Sequence, residues 1–136
     1  MSLMRIPFCA ALAVAVAGPV AAGEMWVSDL GALAYETDEG DTAILSFPTE
    51  DAAQGRLYIP GLAGNWKQRG VHEAYWIAEG EGLCGATLTG PDGIGSTMWG
   101  RAVVAFDKPE FPTGFTVTLG DCMSTPFRAL RADLDQ

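Results

Sequence analysis

Residues 115–119 read Phe115-Thr116-Val117-Thr118-Leu119, apolar and hydroxyl-bearing side chains in strict alternation. Successive side chains of an extended strand point to opposite faces, so this stretch has one face for a core and one for water. Just before it, Thr97 to Phe106 carries Trp99, Val103, Val104 and Phe106 and stops at Asp107-Lys108-Pro109. That run is the most continuous apolar strand of the chain beyond its first 23 residues. Both runs read as strands bounded by turn residues.

The same grammar extends in both directions. Glu24 to Ser28 and Ala32 to Thr37 are followed by Thr42 to Phe47 across the acidic turn Asp38-Glu39-Gly40-Asp41, which reads as a hairpin tip. Gly55 to Ile59 is a short strand ended by Pro60 and Gly61, and Leu62 to Gly70 is a glycine-punctuated connection carrying Trp66. Val71 to Ala78 bears apolar bulk on both faces, as a central strand would, and Glu79-Gly80-Glu81-Gly82 hands over to Leu83 to Thr89. Gly90-Pro91-Asp92-Gly93 is a strong turn signal, since proline presets one φ and glycine accepts a positive one. Phe127 to Leu134 is the last strand.

No segment from Glu24 onward keeps apolar residues at helical spacing for three turns, and 15 of the 17 glycines and 6 of the 8 prolines punctuate it. Helices are therefore not expected. The reading is one all-β domain, an antiparallel β-barrel or sandwich of about eight strands over residues 24–136, with no repeat and no linker. Strand count does not separate barrel from sandwich.

Residues 1–23 read differently. Arg5 precedes an apolar run from Phe8 to Val16, then Gly18-Pro19 and the small residues Val20, Ala21, Ala22, Gly23. That is the three-part order of a secretory signal, with cleavage expected at Gly23/Glu24. The apolar run falls short of the roughly 20 residues that span a bilayer. Cys9 opens the run where a lipid-bearing cysteine would close it, so lipid attachment is not expected. The mature chain would be periplasmic or secreted, with no membrane span. It would keep 7 basic against 17 acidic residues, and Cys84 and Cys122 as its two cysteines. An even count in an oxidising compartment predicts a disulfide between them.

Several chemistries drop out. The whole chain carries a net charge of −9, which leaves no basic surface for nucleic acid. One histidine and two oxidised cysteines do not make a zinc site, and Asp38, Glu39 and Asp41 lack the spacing of an EF-hand. His72 is the single imidazole, and none of Ser28, Ser46, Ser96 and Ser124 sits in a GxSxG elbow. His72 instead suits a strand face, satisfied by hydrogen bonding. No residue pattern selects a catalytic pair from the 17 acids, and there is no glycine-rich phosphate loop. Neither catalysis nor a metal or cofactor is expected, and the oligomeric state is left open.

The remaining signal is aromatic: Trp26, Trp66, Trp76 and Trp99. Tryptophan faces beside an arginine suit a sugar, an aromatic ligand or a partner's anchor residue. Trp66, Arg69, His72, Trp76 and Trp99 are the candidate ligand-binding residues, with Trp66 foremost because no strand face in its loop buries it automatically. Gly64-Asn65-Trp66 has the GxW form and resembles the motif of lipocalin-like and avidin-like barrels, which carry it near their first strand. Here it sits about forty residues past the expected cleavage point, so the resemblance is compatible with a barrel and assigns no residue a role.

Two functions follow as expectations. The first is an exported domain that holds a small apolar, aromatic or sugar-like ligand among its tryptophans. The second is an acidic interaction module, for instance an inhibitor of an exported enzyme, that presents Glu36, Asp38, Glu39 and Asp41 to a basic partner. Acidity that merely keeps an exported domain soluble is the plain third reading.

Overall fold

The structure, a computed structural model, describes residues 23–50, 53–65, 67, 70–110 and 112–135. Residues 1–22 of the expected signal segment, 1–23, lie outside them, as do Trp66 and Arg69. Ten strands make up the regular structure: β1 (Met25–Ser28), β2 (Gly31–Glu39), β3 (Thr42–Pro48), β4 (Gln54–Pro60), β5 (Val71–Ala78), β6 (Leu88–Thr89), β7 (Gly95–Ser96), β8 (Trp99–Phe106), β9 (Phe115–Leu119) and β10 (Arg128–Leu134). Eight of them close into an antiparallel barrel in the order β1-β10-β9-β8-β5-β4-β3-β2. The described residues contain no helix. Closure is made at β1, where Trp26 pairs with Leu134 of β10 and with Leu33 of β2.

Alternation decides what fills the barrel. Phe115, Val117 and Leu119 face inward, as their spacing predicts, and Trp26, Leu33, Tyr35, Leu45, Phe47, Leu57, Ile59 and Trp76 join them in one buried core. Five alanines, Ala43, Ala74, Ala78, Ala102 and Ala132, share that core. Small residues opposite large ones let side chains fill an eight-stranded interior without a void.

The tightest contact is at Gly100. A Cβ there would lie 1.9 Å from the Gly120 carbonyl oxygen and 2.5 Å from Trp76 Nε1. The indole N–H of Trp76 donates to that same carbonyl at 2.8 Å. Next to it, Cys122 has φ of 53°, the left-handed region that non-glycine residues rarely occupy.

The sixth run of the sequence departs from expectation. Leu83 to Thr89 is not a barrel strand: only Leu88–Thr89 is extended, pairing with Gly95–Ser96 in a separate two-stranded ribbon. Residues 79–98 instead leave the barrel at the end of β5, cross its outer wall and return at β8. The wall is apolar there because Ile44, Tyr58, Ile77 and Trp99 face outward, and with Cys84 they form a second buried cluster. Trp99 donates its indole N–H to the Ala86 carbonyl at 2.8 Å. The Tyr58 hydroxyl reaches both Asp92 carboxylate oxygens, at 3.0 and 3.1 Å, and its ring stacks on Tyr75 at 4.9 Å. Gly90 of the turn lies so close to the Tyr58 ring that a Cβ would come within 2.7 Å of it.

The ends of the barrel differ. One is filled by aromatic side chains: Trp26 meets Phe115 edge-on at 5.0 Å, Phe106 lies 5.3 Å from Phe115, and Leu62 is buried beneath them. Buried Thr113 locks this end, its carbonyl accepting the Trp26 indole N–H at 2.8 Å and its hydroxyl oxygen accepting the Lys108 N–H at 3.0 Å. Outside it, Arg131 grips the Asp107 carboxylate with both terminal nitrogens. That guanidinium holds the Asp107 carboxyl below its usual range.

Two outcomes are expected. Gly100→Ala should cost about 3 kcal/mol or more, because backbone and a core indole must both move. Gly85→Ala, whose Cβ meets nothing within 4 Å, should leave the urea midpoint nearly unchanged; equal midpoints for both variants would refute the packing described. The second concerns alkali. Burial, then the hydrogen bond to Asp92, raises the Tyr58 phenol well above its ordinary value, and burial, then the Asp92 charge, raises Tyr75. A folded-state pKa above the unfolded one means stability is full below about pH 10 and falls as pH rises past it. Phenolate absorbance should therefore show Tyr58 and Tyr75 ionising only with unfolding. Reversible ionisation of all three tyrosines in the ordinary phenol range, fold intact, would show that the clamp on Asp92 does not form.

Candidate functional site

Because neighbouring barrel strands run antiparallel, the connections β1–β2, β3–β4, β5–β8 and β9–β10 emerge together at the end opposite the aromatic plug. They surround a recess of about 420 Å³. Its floor and walls are barrel side chains, Phe47, Trp76, Leu119 and Leu130, extended upward by Leu30, Leu83 and Met98 from the connections. Asp29, Thr49, Glu50, Asp121 and Arg128 make the rim. Arg128 stands between two of the acids, Nη1 at 3.1 Å from Asp121 and Nε at 3.7 Å from Glu50. Its guanidinium also lies over the exposed Phe127 ring at 4.8 Å.

One covalent bond fixes two walls of this mouth. Cys84 and Cys122 form the expected disulfide, with Cα atoms 5.6 Å apart. Their neighbours Leu83 and Asp121 both line the recess, so the bond joins the 79–98 excursion to the β9–β10 turn at the mouth itself. Leu83, Met123 and Phe127, 42, 71 and 62% exposed, stand around it as an apolar shoulder.

The sequence-derived residues scatter over three places. Trp76 lines the mouth, but from below: it is 5% exposed and its indole N–H is satisfied by Gly120. Trp99 lies on the outer wall under the excursion, 9% exposed and bonded to Ala86. The two tryptophans belong to separate cores. His72 faces inward near the plugged end, its ring edge-on to Phe106 at 6.3 Å. Its Nε2 is buried without a hydrogen-bond partner among the described residues, unlike the satisfied imidazole expected. Trp66 and Arg69 fall outside the described residues.

The acidic hairpin tip is at the plugged end too. Asp38 accepts a hydrogen bond from the Tyr35 hydroxyl at 2.6 Å, Glu36 one from Ser46 at 2.8 Å, and the Asp41 carbonyl accepts the N–H groups of Gly61 and Ala63. These contacts tie the hairpin to its own barrel. Among the described residues, no three His, Cys, Asp or Glu side chains are placed to share a metal ion. The rim residues Asp29, Glu50, Asp121 and Arg128 were not singled out by the sequence, since each sits in a different connection or strand end.

No protein-family model matches the chain, and no solved structure matches it. A 65-residue segment, 46% of the chain, is 32% identical to a cellulose 1,4-beta-cellobiosidase of Acetivibrio thermocellus. The match spans 7% of that enzyme's length.

In a chain starting at Glu24, the disulfide closes a loop across 38 positions, which should stabilise the fold by about 2–4 kcal/mol. Urea unfolding with and without reductant should show that loss, and the denatured, unreduced chain should yield no free thiol. Free thiol in the unreduced sample, or identical curves, would count against the bond.

Proposed function

We propose that this chain is an exported β-barrel module, cleaved after Gly23, that binds a sugar-like ligand in the open mouth without catalysis. The observation that carries this reading is the recess itself. Its volume of about 420 Å³ falls in the range of small-ligand sites, roughly 300–1,000 Å³. Apolar walls over Trp76 suit the C–H face of a pyranose ring. The rim supplies carboxylates as acceptors and one guanidinium as donor, and vicinal hydroxyl groups can satisfy both. Arg128 is already paired with Glu50 and Asp121, which disfavours an anion in the same place.

Two further facts support the reading. The disulfide belongs to an oxidising compartment, and thiols of cytosolic proteins are kept reduced. The likeness to an enzyme named for cellulose and cellobiose makes β-1,4-linked glucose oligomers the ligands to try first.

Titration with cellotetraose should give saturable heat by calorimetry and a change in tryptophan fluorescence as Trp76 loses solvent above it. Arg128→Ala should weaken binding about tenfold. Because Arg128 is a surface residue, that variant should keep its stability within about 1 kcal/mol. An absence of heat and fluorescence change with every β-1,4-glucan oligomer would exclude this ligand class.

A further inference from the structure

A second recess, of about 390 Å³, lies on the outer wall of the barrel next to the mouth. It is bounded on one side by β2, β3 and β4 and on the other by the end of β5 and the β6–β7 ribbon. Its polar groups come from a row across the sheet. Ser46 of β3 is registered opposite Arg56 of β4, and Arg56 opposite Ile77 of β5. On the far side of Ser46 the pairing of β2 with β3 slips by one residue between Tyr35 and Thr37. Glu36 is the extra residue of that bulge, and its carboxylate turns to Ser46, accepting the hydroxyl at 2.8 Å. Bulges commonly re-aim a side chain beside a site in this way. Glu79 and Gln54 add a carboxylate and an amide.

The chemistry of this groove selects a class of ligand. Two carboxylates face one guanidinium that is itself shared with Asp92, so an anion gains nothing by entering. Hydrogen-bond donors and acceptors share the lining with apolar Ile77 on the barrel side and Ile94 on the ribbon side. A neutral molecule with many hydroxyl groups and C–H faces fits that lining; a fatty acid or a nucleotide does not.

Between the two recesses lies backbone around Gly80, with the Met98 thioether packed 3.3 Å from where a Gly80 Cβ would stand. There the Glu79 N–H donates to the Gln54 carbonyl at 3.0 Å and the Ser96 hydroxyl donates to the Gly80 carbonyl at 2.8 Å. Gly80, with φ of 122°, supplies no side chain of its own. Thr49 and Glu50 of the mouth and Gln54 and Gly55 of the groove belong to one connection and its flanks.

We propose that the outer groove is a second saccharide subsite, so that one oligosaccharide runs from the mouth over Gly80 to Glu36, Ser46 and Arg56. This rests on the reading of the mouth as a sugar site. It adds that the natural ligand is a chain, because two linked subsites multiply their affinities only when one molecule occupies both.

Calorimetric titration of the wild type with cellobiose and with cellohexaose separates the possibilities. The hexamer should bind roughly tenfold or more tightly than the dimer. Arg56→Ala should abolish that gain and leave dimer binding unchanged. Because Arg56 also lies 3.8 Å from Asp92, Glu79→Gln serves as a second variant, expected to reduce the gain with an unaltered melting curve. Equal affinities for the two sugars, or a gain that survives both substitutions, would overturn the second subsite while leaving the mouth intact. Binding of neither sugar would instead remove the mouth reading, and the chain-length proposal with it.

Discussion

The arrangement depends on one close approach, that of the β8 backbone at Gly100 to the Gly120 carbonyl, with the Trp76 indole N–H bonded to the same oxygen. Everything at the open end is positioned from this point. The carbonyl fixes the Trp76 indole, which is buried in the barrel beneath the recess. The same approach draws residues 120–122 against the start of β8, where the Cys122 N–H reaches the Trp99 carbonyl at 2.9 Å. Cys122 is thereby brought under Cys84, at the cost of a left-handed backbone conformation. A side chain at Gly100 would separate these layers, and the floor, the turn and the disulfide would lose their common reference.

Why one end is open and the other filled follows from what the strands contribute. At the plugged end, Trp26, Phe106 and Phe115 point inward together and Thr113 closes over them. At the open end Phe47, Trp76, Leu119 and Leu130 form the last inward layer of large side chains, and the rim above carries acids and Arg128. A wide ring of loops cannot bury such groups without partners. The end therefore stays open to water, and openness over an apolar floor is what makes it a site.

The sequence makes the barrel wall legible and the site nearly invisible. Strict alternation at 115–119 and apolar runs between glycine and proline turns predict antiparallel strands directly, and two cysteines beyond the signal predict their own pairing. The run Leu83 to Thr89 misleads because Cys84 and Leu88 pack against the outside of the barrel while Leu83 stands exposed at the mouth. A residue hidden under a crossing loop has the same composition as one hidden in a core. Trp99 misleads for the same reason: its register places it on the outer face, and nothing local announces that residues 79–98 will cover that face. The rim fails differently. Asp29, Glu50, Asp121 and Arg128 are single polar residues at four strand ends, and only closure of the barrel brings them together. The bulge at Glu36 leaves no mark in the pattern, since Tyr35-Glu36-Thr37 alternates like any strand.

The 79–98 excursion is the element that adds both recesses to the barrel. It covers Ile44, Tyr58 and Ile77, which would otherwise expose an apolar wall, and in doing so it raises Leu83 and Met98 as one side of the mouth. Its other flank, with Ile94 and Ser96, forms the far side of the outer groove. A segment with so little regular structure cannot hold two recesses by its own hydrogen bonds. It is held at both extremes instead: by the disulfide near Cys84 and by Tyr58 on Asp92, with Trp99 bonded to Ala86 between them. The clamps are chemically distinct, one sensitive to reductant and the other to alkali. Loosening either should move one recess before the other, because Cys84 adjoins the mouth and Asp92 adjoins the groove.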